Sequence, residues 1–224
     1  MWAVLVAAGR GERLGADRPK AFAPLRGRPL IAEPLARLDS SEWVDAIVIV
    51  AAAGWEEPSI LVSEELACDK VSESVTGGET RAESVRNGVA AVPEDAAVIV
   101  VHDAARPFLV EDVLERVITA LDAEWQGAVP VLRLADTVKR VRGNEIVETL
   151  DRSELAAVQT PQAFVAPVLR EALAGDLGGA TDCSSLVEAR GGRVRAVEGD
   201  ARLLKVTDES DLALVSGLLE AAPS

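Results

Sequence analysis

Trp2-Ala3-Val4-Leu5-Val6 runs directly into Ala7-Ala8-Gly9-Arg10-Gly11-Glu12-Arg13-Leu14-Gly15, and then into Asp17-Arg18-Pro19-Lys20. A short apolar run bounded by glycines reads as a buried strand. The loop behind it carries glycines at 9, 11 and 15, so its backbone can approach a ligand and aim N–H groups at it. It also carries Arg10, Arg13, Arg18 and Lys20. A glycine loop at a strand end, studded with cations, suits a polyphosphate. It is not the dinucleotide fingerprint, because the third glycine comes one residue late. The next strand-like run also ends in Ala51-Ala52-Ala53, with no carboxylate for a ribose. Nor is it a Walker loop, since the chain has no Gly-Lys pair.

The charge distribution sharpens this reading. The chain has 224 residues and a net charge of −14, with 23 basic against 37 acidic side chains. Such a balance argues against a partner that is nucleic acid or an anionic membrane. Yet residues 10–28 hold Arg10, Arg13, Arg18, Lys20, Arg26 and Arg28 against Glu12 and Asp17. A basic island in an acidic chain points to an anion site. At 49% hydrophobic residues, the chain can build a globular core. No apolar run approaches the ~20 residues of a membrane span, and no basic-then-apolar leader precedes the first strand. Cys68 and Cys183 lack metal-ligand spacing. Reduced thiols in a cytoplasmic protein are expected.

Beyond the loop, strand-like and helix-like runs alternate. Helices are expected near 29–38, 56–66, 79–92, 110–121, 166–173, 182–190 and 209–220. Strands are expected at 46–50, 71–75, 96–101, 127–132 and 194–197. This alternation argues for an α/β fold, a Rossmann-like, mostly parallel sheet flanked by helices. The pattern breaks at 137–149, where Val138, Val141, Ile146 and Val147 flank the turn signal Arg142-Gly143-Asn144. That segment reads as a protruding β-hairpin arm. A two-stranded hairpin is marginal alone, so a second chain is expected to cover it. The reading is a single domain over 1–224 with a β-arm at about 137–152.

Other segments place chemistry where strands end, which is where open α/β sheets bind ligands. In His102-Asp103-Ala104-Ala105-Arg106-Pro107, Asp103 could hold Mg²⁺ or a substrate hydroxyl, and Arg106 could bind a phosphate or fix the loop. His102 reads as a residue that orients the loop rather than as a base, because no Ser or Cys nucleophile motif accompanies it. Gly77-Gly78-Glu79-Thr80-Arg81-Ala82-Glu83-Ser84 could read a base edge through its backbone, or simply open a helix. Asp136, Thr137, Arg152 and Gln159-Thr160-Pro161-Gln162 could grip a phosphorylated polyol, or be turn chemistry. Thr181, Asp182 and Thr207 could cap helices. Lys205 closes a strand-like stretch, Leu203-Leu204, where a cation wants a partner.

In their joint order these motifs resemble the 2-C-methyl-D-erythritol 4-phosphate cytidylyltransferases of isoprenoid synthesis. The matching pieces are Ala7-Ala8-Gly9-x-Gly11-x-Arg13, Pro19-Lys20, Gly77-Gly78-x-x-Arg81-x-x-Ser84, His102 to Pro107, Asp136-Thr137-Val138-Lys139, Arg152, Gln159 to Gln162, Thr181-Asp182 and Lys205-Val206-Thr207. The resemblance implies cytidylyl transfer from CTP to a phosphorylated polyol, with Mg²⁺. A cytidylyltransferase for ribitol 5-phosphate or another polyol phosphate is the alternative. Under this resemblance Arg13, Lys20 and Lys205 are catalytic. Ala7, Ala8, Gly9, Gly11, Gly78, Glu79 and Ser84 bind the nucleotide. Asp103, Arg106, Thr137, Arg152, Thr160, Thr181 and Thr207 bind the substrate, several of them from a partner subunit in a homodimer built through the arm. The metal is held by Asp103 or through the CTP phosphates. Three positions depart from the family pattern: Ala21 stands for a glutamine, Cys183 for an aspartate and Leu203 for an asparagine.

Overall fold

The structure is a computed structural model that describes residues 1–11 and 18–221. Its centre is an eight-stranded sheet. The first strand, β1 (Trp2–Ala7), lies between β4 (Ala46–Ala51) and β6 (Val98–Asp103), parallel to both. β5 (Val71–Thr76) extends the sheet beyond β4, again in parallel. On the other side β11 (Gln162–Val165) runs antiparallel between β6 and β7 (Gly127–Arg133). β10 (Ala156–Val158) also pairs antiparallel with β7, and β12 (Val194–Glu198) pairs with it in parallel. The sheet is therefore mostly parallel, as the alternation predicts.

Side chains alternate across the sheet with a period of two. Ala3 and Leu5 of β1, with Ile47 and Ile49 of β4, face one core. There they meet Leu35 and Leu38 of α1 (Ala32–Ser40) and Leu114 and Val117 of α4 (Glu111–Thr119). Val4, Val48 and Val50 face the opposite core. Val85 and Val89 of α3 (Arg81–Ala91), Leu169 of α5 (Ala166–Leu173) and Leu186 of α6 (Cys183–Ala189) cover them. Gly88 lets α3 lie this close, since a Cβ there would sit 2.5 Å from Val50 and 2.6 Å from Val4. The polar α2 (Glu56–Glu65) packs beside β5. A third cluster joins Leu25, Leu30, Phe108 and Val113 to Leu203, Val206 and Val215, bringing α7 (Glu209–Ala221) against the body.

Several expectations shift. The helix expected from residue 29 begins at Ala32, because Arg28–Pro29 (β3) pairs with Pro24–Leu25 (β2) as a minute hairpin with Gly27 at φ +80°. Leu203-Leu204 is not a strand; residues 203–207 are irregular. The antiparallel strands β10 and β11 are not legible as strands in the sequence. The arm is present as β8 (Val138–Arg142) and β9 (Glu145–Leu150), paired with each other in a separate sheet and turned at Gly143, φ +56°. Val141 and Ile146 on it are 55% and 62% exposed.

A candidate active site at the switch point of the sheet

From β1 the chain proceeds to β4 and β5 on one side, then crosses back to β6 on the other. Such a switch point leaves a crevice beyond the strands' carboxyl ends. A cavity of about 420 Å³ occupies it, walled by residues 6–10 at the end of β1, residues 78–81 and Ser84 after β5, residues 103–105 at the end of β6, and by Lys20, Ala21 and Lys205. Three segments far apart in sequence meet there because β1 lies beside β6 and only β4 separates it from β5. A second hollow of about 390 Å³ adjoins it across Ala8 and Gly78.

Backbone contacts set the loop shapes. Lys20 N–H donates to the Gly9 carbonyl at 3.0 Å, closing the first loop. Gly11 sits at φ +72°, where a Cβ would lie 3.0 Å from the Lys20 backbone. It is not among the cavity walls. Gly77 lets two loops touch, since a Cβ there would fall 2.4 Å from Ala8 Cβ. Ser84 is buried; its hydroxyl accepts from Gly78 N–H at 3.0 Å and donates to the Thr80 carbonyl at 2.9 Å. It thereby shapes the loop whose backbone lines the cavity. Thr80 and Glu83 form a reciprocal capping box that fixes the start of α3.

The charged walls are Arg10, Lys20, Arg81 and Lys205 against Glu79 and Asp103. Arg10 and Glu79 pair across the mouth at 3.2 Å, both well exposed. Lys20 reaches across the floor and its ammonium donates to the Val206 carbonyl at 3.0 Å. Asp103, the last residue of β6, is 6% exposed. Its Oδ1 accepts from Arg81 Nε at 2.9 Å and pairs with Nη2 at 2.8 Å, while Oδ2 accepts from Lys205 Nζ at 2.7 Å. Burial opposes its ionisation, but the two cations outweigh it and hold the carboxyl well below the usual range.

Both Asp103 oxygens thus already face cations, which makes the carboxylate an unsuitable donor for a divalent metal. A Mg²⁺ ion in this cavity fits only as a metal carried on phosphate oxygens and water.

Other expected contacts lie elsewhere. Thr160 is buried beneath the cavity, where its hydroxyl accepts from Asp103 N–H at 3.1 Å and meets His102 Nδ1 at 3.1 Å. His102 Nε2 meets the Arg106 carbonyl at 2.9 Å. A carbonyl only accepts, so Nε2 carries the proton and Thr160 donates to Nδ1. The loop-orienting reading of His102 agrees with this geometry, whereas Thr160 here supports Asp103 and lies outside the cavity walls. Arg106 also turns away from the cavity, donating to the Leu203 and Val158 carbonyls. It fixes the loop and pins the segment bearing Lys205. Asp182 caps α6, accepting from Ser185 N–H at 3.0 Å, with Thr181 exposed beside it. Thr207 donates to Asp211 at the entrance to α7. Thr137 and Arg152 are exposed at the base of the arm, with Arg152 bonded to the Ala135 carbonyl. Arg13 lies outside the described residues. Arg81, present in a motif but given no role, is the residue that sequence reasoning misses. Its position directly after the N-cap Thr80 is the available signal.

Comparison with known proteins gives the family. The profile described as IspD, 2-C-methyl-D-erythritol 4-phosphate cytidylyltransferase, matches residues 1–221. The enzyme of that name from Nocardia farcinica is 42% identical over 97% of this chain and 93% of its own length. Its counterpart from Saccharopolyspora erythraea is 41% identical over 97% and 98%. The crystal structure of the Thermus thermophilus enzyme superposes with a TM-score of 0.78 at 31% identity, covering 97% of this chain and 98% of that one. With its cationic crevice at the sheet's switch point and a match along nearly its whole length, the chain belongs to the 2-C-methyl-D-erythritol 4-phosphate cytidylyltransferase family.

Proposed function

We infer that the chain transfers the cytidylyl group of CTP to 2-C-methyl-D-erythritol 4-phosphate, releasing pyrophosphate. The observation that carries this reading is the convergence of Lys20, Arg81 and Lys205 on one crevice in a member of this family. The acceptor's phosphate oxygen attacks the α-phosphorus, a new P–O bond forms, and the bond to the β-phosphate breaks. The attacking monoester is already anionic, so no protein base or nucleophile is required. The obstacle is repulsion between two anions and the charge that builds in the transition state. Fixed cations lower that barrier by positioning and electrostatic stabilisation.

In this reading Lys20, Lys205 and Arg13 hold the triphosphate and the transferring phosphoryl group. The backbone of Ala7, Ala8, Gly9, Gly78 and Glu79 reads cytosine. A Mg²⁺ ion would be carried on the triphosphate oxygens rather than by a protein carboxylate, and would supply further neutralisation of charge. Thr137 and Arg152 bind the acceptor from the arm of a second copy. Support for that homodimer comes from the exposed apolar side chains of Val141 and Ile146 on a hairpin with its own small sheet. The enzyme works in the cytoplasm, a reading supported by its free thiols at Cys68 and Cys183. Among the described residues no helix is long and apolar enough to cross a membrane.

The test is pyrophosphate release against a matrix of four nucleoside triphosphates and several polyol phosphates. Turnover confined to CTP with 2-C-methyl-D-erythritol 4-phosphate is expected. Preference for another nucleotide, or for ribitol 5-phosphate, would overturn the reading.

A further inference from the structure

We propose that Arg81 is a positioning residue, which holds Asp103 so that the ammonium of Lys205 is presented to the crevice. The inference rests on the reading of the crevice as a CTP site.

Lys205 lies in an irregular stretch, residues 203–207, and a long side chain on such a segment has no fixed place of its own. Arg106 and Lys20 hold the backbone of this stretch through the Leu203 and Val206 carbonyls, and two further contacts bear on Lys205 itself. Val206 N–H donates to the Ala105 carbonyl at 2.7 Å, and Lys205 Nζ donates to Asp103 Oδ2 at 2.7 Å. Asp103 is in turn gripped at its other oxygen by Arg81, through Nε at 2.9 Å and Nη2 at 2.8 Å. Arg81 is the first residue of α3, whose start is locked by the Thr80–Glu83 box. The order of support is therefore capped helix, guanidinium, carboxylate, ammonium.

The remaining arm of the fork, Nη1, lies 3.6 Å from Cys183 Sγ. Burial pushes that thiol up to about 11, so it stays neutral and does not compete for the guanidinium charge. Other groups facing Asp103 are His102, which burial keeps neutral, and Arg106, whose own charge interacts with it. Without Arg81 the carboxylate would turn wholly to Lys205 and draw the ammonium into a closed pair. A lysine at 81 would keep the charge but lose the planar fork.

The experiment is a double-mutant cycle of Arg81→Met with Asp103→Asn, read by kcat and by calorimetric CTP affinity. A misplaced cation can cost roughly 10²-fold, so Arg81→Met should lower kcat by about that factor. In the Asp103→Asn background the same change should cost less than about threefold. Arg81→Lys keeps the fold if the methionine variant does not, and should recover only part of the rate. Equal losses in both backgrounds would mean that Arg81 touches the nucleotide directly, and would overturn the proposal. Full activity in Arg81→Lys would do the same. A wrong acceptor would silence turnover in every variant yet leave the cycle legible in CTP affinity.

Discussion

The ammonium of Lys20 donates to the carbonyl of Val206, 186 residues later, at 3.0 Å. That bond ties the first loop to the segment carrying Lys205, so two cations from opposite ends of the chain share one crevice. Lys20 thus both bears charge and closes the site.

Lys20→Ala should lower the rate of pyrophosphate release by roughly 10²–10³, the usual cost of removing one transition-state donor. The fold should persist, because Lys20 is half-buried at the rim of the cavity while the sheet core is untouched. Stopped-flow detection of pyrophosphate with circular dichroism on the same sample checks both halves. A variant turning over at the wild-type rate would remove Lys20 from the chemistry.

Gly77→Ala tests whether the contact between the loops after β1 and β5 shapes the nucleotide pocket. The new Cβ would fall 2.4 Å from Ala8 Cβ and 2.9 Å from Ser84 Oγ. Overpacking of this kind costs about 1–3 kcal/mol, so CTP affinity should fall by roughly 5–150-fold if that cost falls on the pocket. Calorimetric titration with CTP measures it, and an unchanged affinity would show that the loops tolerate separation.

His102 sets a pH dependence of stability. Burial pushes its imidazole down to about 4, with the Arg106 carbonyl opposing the shift. The unfolded chain takes up this proton near pH ~6.5, whereas the folded chain resists it. The contribution is therefore complete above about pH 6.5 and is lost as the pH falls toward 4. Urea midpoints at about pH 7.5 and about pH 5, on either side of that unfolded-state value, should fall further apart for the wild type than for His102→Gln. Equal pH dependence in both proteins would refute a neutral buried imidazole.

The arm should carry both assembly and acceptor binding. Val141→Ser with Ile146→Ser removes two exposed apolar side chains, and light scattering should then report a monomer at micromolar concentration. Arg152→Ala should raise KM for the polyol phosphate far more than for CTP. At acceptor concentrations where the Lys20→Ala and Arg152→Ala proteins are each impaired, mixing them should restore activity, since a mixed dimer holds one crevice with Lys20 served by an arm with Arg152. No recovery after subunit exchange would argue that each chain completes its own site.

Much of this protein is determined locally. The run at 2–6, the glycines behind it and the alternation of strands with amphipathic helices specify a parallel α/β sheet, because period-two and period-3.6 burial patterns are written residue by residue. The hairpin signal at Arg142-Gly143-Asn144 needs only its turn chemistry, and Asp182 announces a cap by residue type. The antiparallel strands β10 and β11 are short, and Ala156, Gln162 and Ala163 carry no strong strand preference, so only pairing with β7 and β6 makes them strands. Tertiary structure alone also decided the roles around Asp103. Whether Thr160 and Arg106 face a ligand or the protein depends on which carbonyls and amides lie within reach after folding. Those partners, at Asp103, Val158 and Leu203, are 52 to 97 residues distant in the chain. The fork of Arg81 on Asp103 belongs to the same class, since no spacing in the sequence specifies that two side chains 22 residues apart will meet behind a cavity.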